Sequence, residues 1–384
     1  MYQLIDFKKG NIFMNRDDAS ASSEPLGYHN PWLDWIRFGA ALIVLLTHTR
    51  DVIFVEYSLL DPASHNFFVI IFYALSRLGT EAVIVFFVLS GFLVGGPAYE
   101  RVKRNTFNVY QYSIDRAVRI LVPLFPIIGI TVLVGLLIGN EPEILRKTVG
   151  HIFSVQGAYT PVFNNNIPLW SLAYEIWFYI IAGALAYIFF RSGATGGKVI
   201  AAILLGLSVA VFLQLKVLYL TIWFMGAAAY VYRPCSGKRM WVAFGVLVII
   251  LGVGARQFSK SSSFFSIGVD GLPYGSYMGE FLISLGMCLV IPNLFLIKSK
   301  FTHFGNIGKF LASFSFSLYL IHQPILRLWP VQDQNIISGR SFSIFLLAVT
   351  VIIFLSWGYA QIFEANSIKV KRFVYRILSL KKMH

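Results

Sequence analysis

Residues 37–48, RFGAALIVLLTH, place an ionisable side chain at each end of a largely apolar stretch. In an α-helix, eleven steps of 100° bring the chain back to within about 20° of its starting direction. At about 1.5 Å per residue, Arg37 and His48 would lie on one face of a single helix, roughly 16 Å apart along its axis. A guanidinium binds anions such as phosphate, and an imidazole transfers protons near neutral pH. The spacing therefore indicates one helix that carries both kinds of chemistry.

Few other ionisable side chains fall inside the apolar runs, and such residues within a membrane are costly and usually functional. Counting from the ends of the runs puts His48, Glu175 and His322 at similar depths in the outer half of the membrane, on three helices. We predict that they form one cluster, in which two imidazoles and a carboxylate transfer protons. Glu81 lies four residues after Arg77, so a local ion pair is its expected role.

Arg116 and Arg119, in DRAVRILVP, are three residues apart and would share one helix face at the cytoplasmic start of the third apolar run. Arg37 is expected at a similar depth. Because planar guanidiniums bind phosphate oxygens in pairs, three of them facing the cytoplasm indicate a phosphate-bearing ligand. Alternatively, Arg116 and Arg119 only anchor the topology, and Arg37 extends its head group to the interface.

Structural roles are also open to the members of the proposed cluster. His48, near a helix end, could be an ordinary interfacial residue, and His322 could cap a carbonyl freed by Pro324. Glu175 has no nearby cation in sequence, and a buried carboxylate needs a partner, which favours a functional role for it. Aromatic side chains around Glu175 suit packing at the membrane interface: Trp170, Tyr174 and Trp177.

Composition identifies the class of protein that must position these groups. The 384 residues are 57% hydrophobic and 13% charged, whereas average soluble domains carry about 25% charged residues. The net charge of +14 does not indicate nucleic-acid binding, because Lys and Arg occur in short blocks between apolar runs. Cys235 falls in a basic loop and Cys288 in an apolar run, so we expect neither a disulfide nor a metal site.

The hydropathy pattern predicts an all-α, polytopic membrane bundle, since about 20 residues of helix cross a bilayer. Residues 1–31 are expected to form a polar cytoplasmic extension, residues 32–363 the membrane domain, and residues 364–384 a basic cytoplasmic tail. About ten spans are predicted, at 32–52, 68–95, 118–139, 168–190, 198–215, 217–232, 241–256, 278–297, 309–329 and 342–363.

Charge distribution orients these spans. With the N-terminus in the cytoplasm, 22 of the 32 Lys and Arg residues fall on the cytoplasmic side and 8 on the opposite side. Because cytoplasmic loops of membrane proteins carry an excess of Lys and Arg, this bias predicts ten spans with both termini in the cytoplasm.

Four segments, in this order, resemble motifs of the acyltransferase-3 family of membrane acyltransferases. The basic stretch with Arg116 and Arg119 before Pro123 also resembles that family. Two departures are Ile176, where many members have a second acid after Glu175, and Ile84, where many have an Asp. The four segments are LDWIRFGAALIVLLTH (33–48), FFVLSGFLV (86–94), PLWSLAYEIWFY (168–179) and FSFSLYLIHQP (314–324).

The resemblance implies transfer of an acyl group, often acetyl, from cytoplasmic acyl-CoA to a sugar hydroxyl of a surface polysaccharide, a lipid-linked glycan or another glycoconjugate. Combined with the helix geometry, it leads us to expect that Arg37, Arg116 and Arg119 bind the phosphates of the donor and that His48 acts as base or acyl carrier, with no permanently bound cofactor. The aromatic residues around Glu175 could stack on the acceptor sugar. Expected partners are acyl-CoA, a carbohydrate or glycolipid acceptor and the lipid bilayer, with a homo-oligomer or polysaccharide-assembly proteins as further candidates. The expected location is the plasma membrane, the inner membrane in a bacterium.

Two other functions stay open at this level. We expect no soluble esterase-like domain of the kind that some members append, so the protein could relay acyl groups to a separate transferase. A proton-coupled transporter could also place His and Glu residues inside a bundle. Such transporters more often show internal repeats with broken helix pairs, and this sequence shows no such symmetry.

Overall fold

The computed structural model describes residues 30–190, 195–234, 237–259, 268–269, 272–297 and 302–381. Within these ranges the chain forms fifteen α-helices and one short antiparallel pair of strands, β1 (Gly268–Val269) and β2 (Leu272–Pro273). The helices are α1 (Pro31–Ile53), α2 (Phe67–Leu75), α3 (Gly79–Ser90), α4 (Gly96–Lys103), α5 (Val109–Ile138), α6 (Ile144–Ile152), α7 (Trp170–Phe189), α8 (Thr195–Phe212), α9 (Val217–Val231), α10 (Arg239–Ser259), α11 (Tyr274–Leu296), α12 (Thr302–Ala312), α13 (Ser315–Arg327), α14 (Gly339–Tyr359) and α15 (Ser367–Lys381).

The predicted all-α polytopic membrane fold is confirmed. Seven helical segments of the described chain are long and apolar enough to cross a membrane, and α9 is a shorter apolar helix. The two other predicted spans correspond to the 23-residue α1 and to the consecutive helices α12 and α13. Most of the predicted N-terminal extension, residues 1–29, and Cys235 lie outside the described residues.

Three predicted spans contain a break or a change of helix type. The second begins as α2, stops after Leu75, resumes at Gly79 and passes through a π-helix at Gly91–Gly95 into α4. The ninth is interrupted between α12 and α13. The last continues through a second π-helix, Ala360–Glu364, into α15, so the predicted basic tail is largely helical.

The prediction that Glu81 pairs with Arg77 is wrong. Arg77 lies in the break before α3, so the two residues do not share one continuous helix. The Glu81 carboxylate instead accepts hydrogen bonds from Arg256 Nη1 at 2.6 Å and Gln257 Nε2 at 2.7 Å, both on α10. Arg256 also lies 3.6 Å from Glu280 of α11, so this charge network joins three helices.

Helix α1 is buried between two apolar cores. Leu33, Ala40 and Val44 pack in the core formed with α3, α5 and α7. Phe38 and Leu45 pack in a second core with α13 and α14. Because α1 has apolar neighbours on opposite sides, it behaves as an interior helix, and all of its ionisable residues except Asp51 are partly or fully buried.

A polar cap closes the predicted outer end of α5. Lys147 Nζ lies 2.6 Å from Glu141 Oε1, and both side chains are almost fully buried. Glu141 also accepts hydrogen bonds from the backbone N–H groups of Asn164 and Asn165. Asn166 Nδ2 donates to the Leu320 carbonyl of α13, so this cap attaches the segment before α7 to α13.

Replacing Lys147 by Met should destabilise the protein by about 3–5 kcal/mol, because it leaves the Glu141 charge buried without its partner. The neighbouring Arg146→Met variant is the matched control. Its ion pair with Glu143 is exposed on both sides, so its loss should cost less than about 1 kcal/mol. Unfolding of the purified protein in detergent measures both, and equal stability of the two variants would contradict the prediction.

Candidate active site

The two histidines predicted to act together are neighbours. The ring centroids of His48 on α1 and His322 on α13 lie 5.3 Å apart, with an interplanar angle of 30°. His322 is fully buried, and its Nδ1 lies 3.1 Å from the Leu318 carbonyl oxygen. Because a carbonyl only accepts, Nδ1 must donate, which leaves the Nε2 lone pair available. Within the described residues that Nε2 atom has no hydrogen-bond partner.

His48 opens onto a cavity of about 530 Å³ at the predicted outer end of α1. Tyr319, one turn before His322, and Trp170 also line it. Charged side chains lie around the same space, and one of them, Arg50, is neutralised by Asp51 at 2.6 Å. A cavity with hydroxyl, aromatic and charged groups suits a polar, hydroxyl-rich ligand better than an apolar one. The charged lining residues are Arg50, Asp51, Glu56 and Arg77.

Glu175 is not joined to the histidines. Its Oε1 accepts a hydrogen bond of 2.6 Å from Tyr179 Oη, one turn further along α7. Ser90 Oγ donates to the same hydroxyl at 3.3 Å and accepts from Trp223 Nε1 at 3.1 Å. No hydrogen bond joins Glu175 to either imidazole in the part of the chain that the structure describes. The single predicted cluster is therefore an imidazole pair and a separate carboxylate at the end of a hydrogen-bonded chain.

A close helix crossing positions Ser90. A Cβ added at Gly91 would lie 1.9 Å from the Trp223 carbonyl oxygen, and one at Gly226 would lie 2.2 Å from the Val88 carbonyl oxygen. The backbones of α9 and of the segment Val88–Gly91 are therefore in direct contact, which only glycine permits. The π-helix that starts at Gly91 follows directly, and π-bulges are frequent at functional sites. The sequence FFVLSGFLV thus encodes a contact that brings Ser90 to Trp223 and Tyr179.

The three arginines converge around Tyr179, below the histidines on the predicted cytoplasmic side. The Arg116 guanidinium carbon lies 5.9 Å from the centre of the Tyr179 ring. Arg37 interacts electrostatically with Arg119 and Tyr179, and its Nη1 is 3.8 Å from Asp34 Oδ1. Within the described ranges, Arg116 and Arg119 have no ion pair. Three guanidiniums with so few anionic partners are available to a multiply charged anion.

Helix α5 begins at Val109, nine residues before the predicted span, which started at residue 118. Arg116 and Arg119 therefore lie about two to three turns inside the helix, next to the start of its apolar part. Asn108 starts the helix by accepting a hydrogen bond from the Gln111 backbone N–H, a standard N-cap. The pair is thereby placed beside Tyr179 of α7 instead of at the helix end.

The three candidate sugar-stacking residues have different environments. Trp170 lines the cavity and packs against Tyr219, with centroids 5.6 Å apart. Tyr174 is buried, and its hydroxyl accepts a hydrogen bond from the Lys216 backbone N–H. Trp177 is buried as well, and its ring N–H donates to the Ser154 carbonyl at 2.7 Å. Trp170 alone of the three borders the cavity, and the other two are engaged in packing.

Sequence reasoning missed the roles of two residues: Tyr179 connects Glu175 to Arg116, and Ser90 connects Tyr179 to Trp223. A signal was present for Tyr179, because residues four apart on a helix are neighbours and Tyr179 follows Glu175 by four. Ser90 lies in one of the family-like motifs, but the sequence did not show what it contacts, because its hydrogen-bond partners lie on α7 and α9.

Comparison with known proteins agrees with the motifs. Residues 30–361 match the family model of the acyltransferase-3 family, described as an acyltransferase domain. No curated protein and no solved structure matches the chain.

Replacing Gly91 by Ala should destabilise the protein by about 1–3 kcal/mol or more, because the added methyl group overlaps the Trp223 carbonyl and forces the helices apart. Gly39→Ala on α1 is the control, since a Cβ there meets no atom within 4 Å. It should be neutral or stabilising by roughly 0.5–1 kcal/mol through higher helix propensity. Thermal unfolding in detergent compares the two, and a Gly91→Ala variant as stable as Gly39→Ala would contradict the close crossing.

Proposed function

This chain belongs to the acyltransferase-3 family, and from that premise we propose that it transfers an acyl group, acetyl in the simplest case, from acyl-CoA to a sugar hydroxyl. The acceptor class is a surface polysaccharide, a lipid-linked glycan or another glycoconjugate. Family membership makes the chain a membrane acyltransferase. The observation that supports the finer assignment is that α1 has an arginine group at one end and an imidazole pair on a polar cavity at the other.

The donor fits the cytoplasmic end of α1. Coenzyme A has a polyanionic head, and Arg37, Arg116 and Arg119 offer guanidiniums that lack strong ion-pair partners. From the phosphates, a long thin arm leads to the thioester. The roughly 16 Å between Arg37 and His48 along α1 is about the length of that arm. The thioester would then lie next to the imidazole pair.

The imidazole pair carries the chemistry of the proposal. His48 takes the proton from the acceptor hydroxyl as the hydroxyl oxygen attacks the thioester carbonyl carbon. The carbon–sulfur bond then breaks, the acyl group stays on the sugar oxygen, and the proton passes from His48 to the departing thiolate. The free Nε2 of His322 can accept from a His48 N–H and so orient that ring. In the alternative route, His48 itself attacks the thioester carbonyl, the thiolate leaves, and His48 carries the acyl group. The sugar hydroxyl then takes the acyl group from His48.

Glu175 lies between the arginines, where the donor phosphates would bind, and the cavity, where the acceptor would bind. Its hydrogen-bond partner Tyr179 borders the arginines, and it interacts electrostatically with Tyr319, which lines the acceptor cavity. We assign it to positioning of the donor arm and of Tyr179 rather than to proton exchange with His48. In the cavity, the face of Trp170 is available for a sugar ring.

His48→Ala and His322→Ala should each lower the rate of acyl transfer about 10²- to 10⁴-fold, because general base catalysis is lost or misaligned. Both variants should still bind coenzyme A, since the arginines are unchanged. Transfer of labelled acyl groups to isolated glycan by the purified protein, with calorimetric binding of coenzyme A, separates the two effects.

His303→Ala is the control for these variants, because His303 is exposed on α12 and should keep wild-type activity. Full acyl transfer by a folded His48→Ala variant would show that the proposed mechanism is wrong. Mass spectrometry of wild-type protein quenched during turnover distinguishes the two routes, since an acylated His48 is expected only in the covalent one.

Replacing Arg116 and Arg119 together by Gln should raise KM for acyl-CoA at least tenfold, through the loss of about 1.4 kcal/mol or more of phosphate binding. KM for the corresponding acyl-pantetheine, which lacks the phosphates, should change little. Lys103→Gln with Arg104→Gln is the matched control, because this pair removes the same charge at the same predicted membrane face. An acyl-CoA KM that stays at the wild-type value in the Arg116/Arg119 variant would support the topology-anchor interpretation instead.

A further inference from the structure

An acidic residue that the proposed reaction does not use lies beside the arginines. Glu364 ends the π-helix that follows α14 and is half-buried. Its Oε2 accepts a hydrogen bond of 2.7 Å from Ser317 Oγ, in the first turn of α13. Because the first N–H groups of a helix lack intrahelical partners and favour negative charge, Glu364 is held at the N-terminus of α13.

The packing of this segment along α5 places Glu364 opposite Arg119. Tyr359 Oη donates to the Pro123 carbonyl, and Lys371 Nζ lies 2.7 Å from Asp115 Oδ1. Asp115, Arg119 and Pro123 are successive i, i+4 positions on one face of α5. The antiparallel segment from Tyr359 to Lys371 therefore passes Arg119 at about Glu364.

Electrostatics agrees with this placement. The Glu364 carboxylate interacts with the guanidiniums of both Arg119 and Arg37. No ion pair within 4.0 Å joins Glu364 to either arginine in the described chain. A negative charge that is close but not bonded lowers the mutual repulsion of the arginines while their N–H groups stay free for another anion.

We propose that Glu364 is a built-in counter-anion of the donor phosphate site, which weakens the binding of coenzyme A so that the spent donor can leave. This inference rests on the proposed use of acyl-CoA. Acyl-CoA and free coenzyme A carry the same phosphates, so Glu364 repels both equally. It sets the affinity of the site for polyphosphate, while Arg37, Arg116 and Arg119 provide the attraction.

Glu364→Gln tests the proposal, because the amide oxygen can still accept from Ser317 while the charge is gone. At low ionic strength, KM for acyl-CoA and the inhibition constant of free coenzyme A should both fall by about tenfold. A change of this size is expected when one unit of negative charge close to the bound phosphates is removed. The difference should shrink at high salt. KM for acyl-pantetheine, measured on the same purified protein, should not change. Glu143→Gln removes an exposed carboxylate remote from the site and should leave all three constants at their wild-type values.

The outcomes separate this inference from the proposed function. If the wild type binds coenzyme A and uses acyl-CoA but a folded Glu364→Gln variant has unchanged constants, the inference is wrong and the function stands. If acyl-CoA and acyl-pantetheine are affected alike, Glu364 only holds α13, and the inference is again wrong. If the wild type neither binds coenzyme A by calorimetry nor transfers acyl groups from it, both are overturned.

Discussion

Burial of α1 between two apolar cores is the constraint on which the site depends. A helix with apolar neighbours on opposite sides cannot rotate or slide without losing contacts that each contribute on the order of 1 kcal/mol. Arg37 and His48 are thereby held at a set separation, one near the other arginines and one beside His322. Packing of this helix supplies the alignment that the proposed donor, lying along α1, would require.

Close backbone contacts at glycines and a chain of hydrogen bonds fix the positions of neighbouring helices. Gly91 and Gly226 let α9 approach the segment that bears Ser90, and from there hydrogen bonds lead through Tyr179 to Glu175. Buried polar groups must be paired, so each member of this chain limits the orientation of the next. In this way the Glu175 carboxylate is held inside the helix bundle with no ion pair among the described residues.

Buried charges occur in two arrangements: pairs that neutralise each other, and a group of arginines with few anionic partners in the described chain. Buried pairs are mutually neutralised: Glu81 with Arg256 joins α3 to α10, and Lys147 with Glu141 attaches α6 to the loop after α5. The arginines near Tyr179 are left largely without partners, and clustering like charges costs free energy unless an anion is present. The structural pairs therefore differ from the proposed donor site in whether their charges are already neutralised within the described part of the chain.

The sequence by itself determined the all-α membrane class, the approximate positions of the ten apolar segments, the shared face of Arg37 and His48, and the family. Apolar periodicity and local spacing act within one segment, so they can be read without knowing the fold. Only the tertiary structure decided that Glu81 pairs with Arg256 rather than Arg77 and that Glu175 bonds Tyr179 and not a histidine. These outcomes depend on helix breaks and on contacts between distant segments. Such contacts arise from packing, which local sequence pattern does not encode.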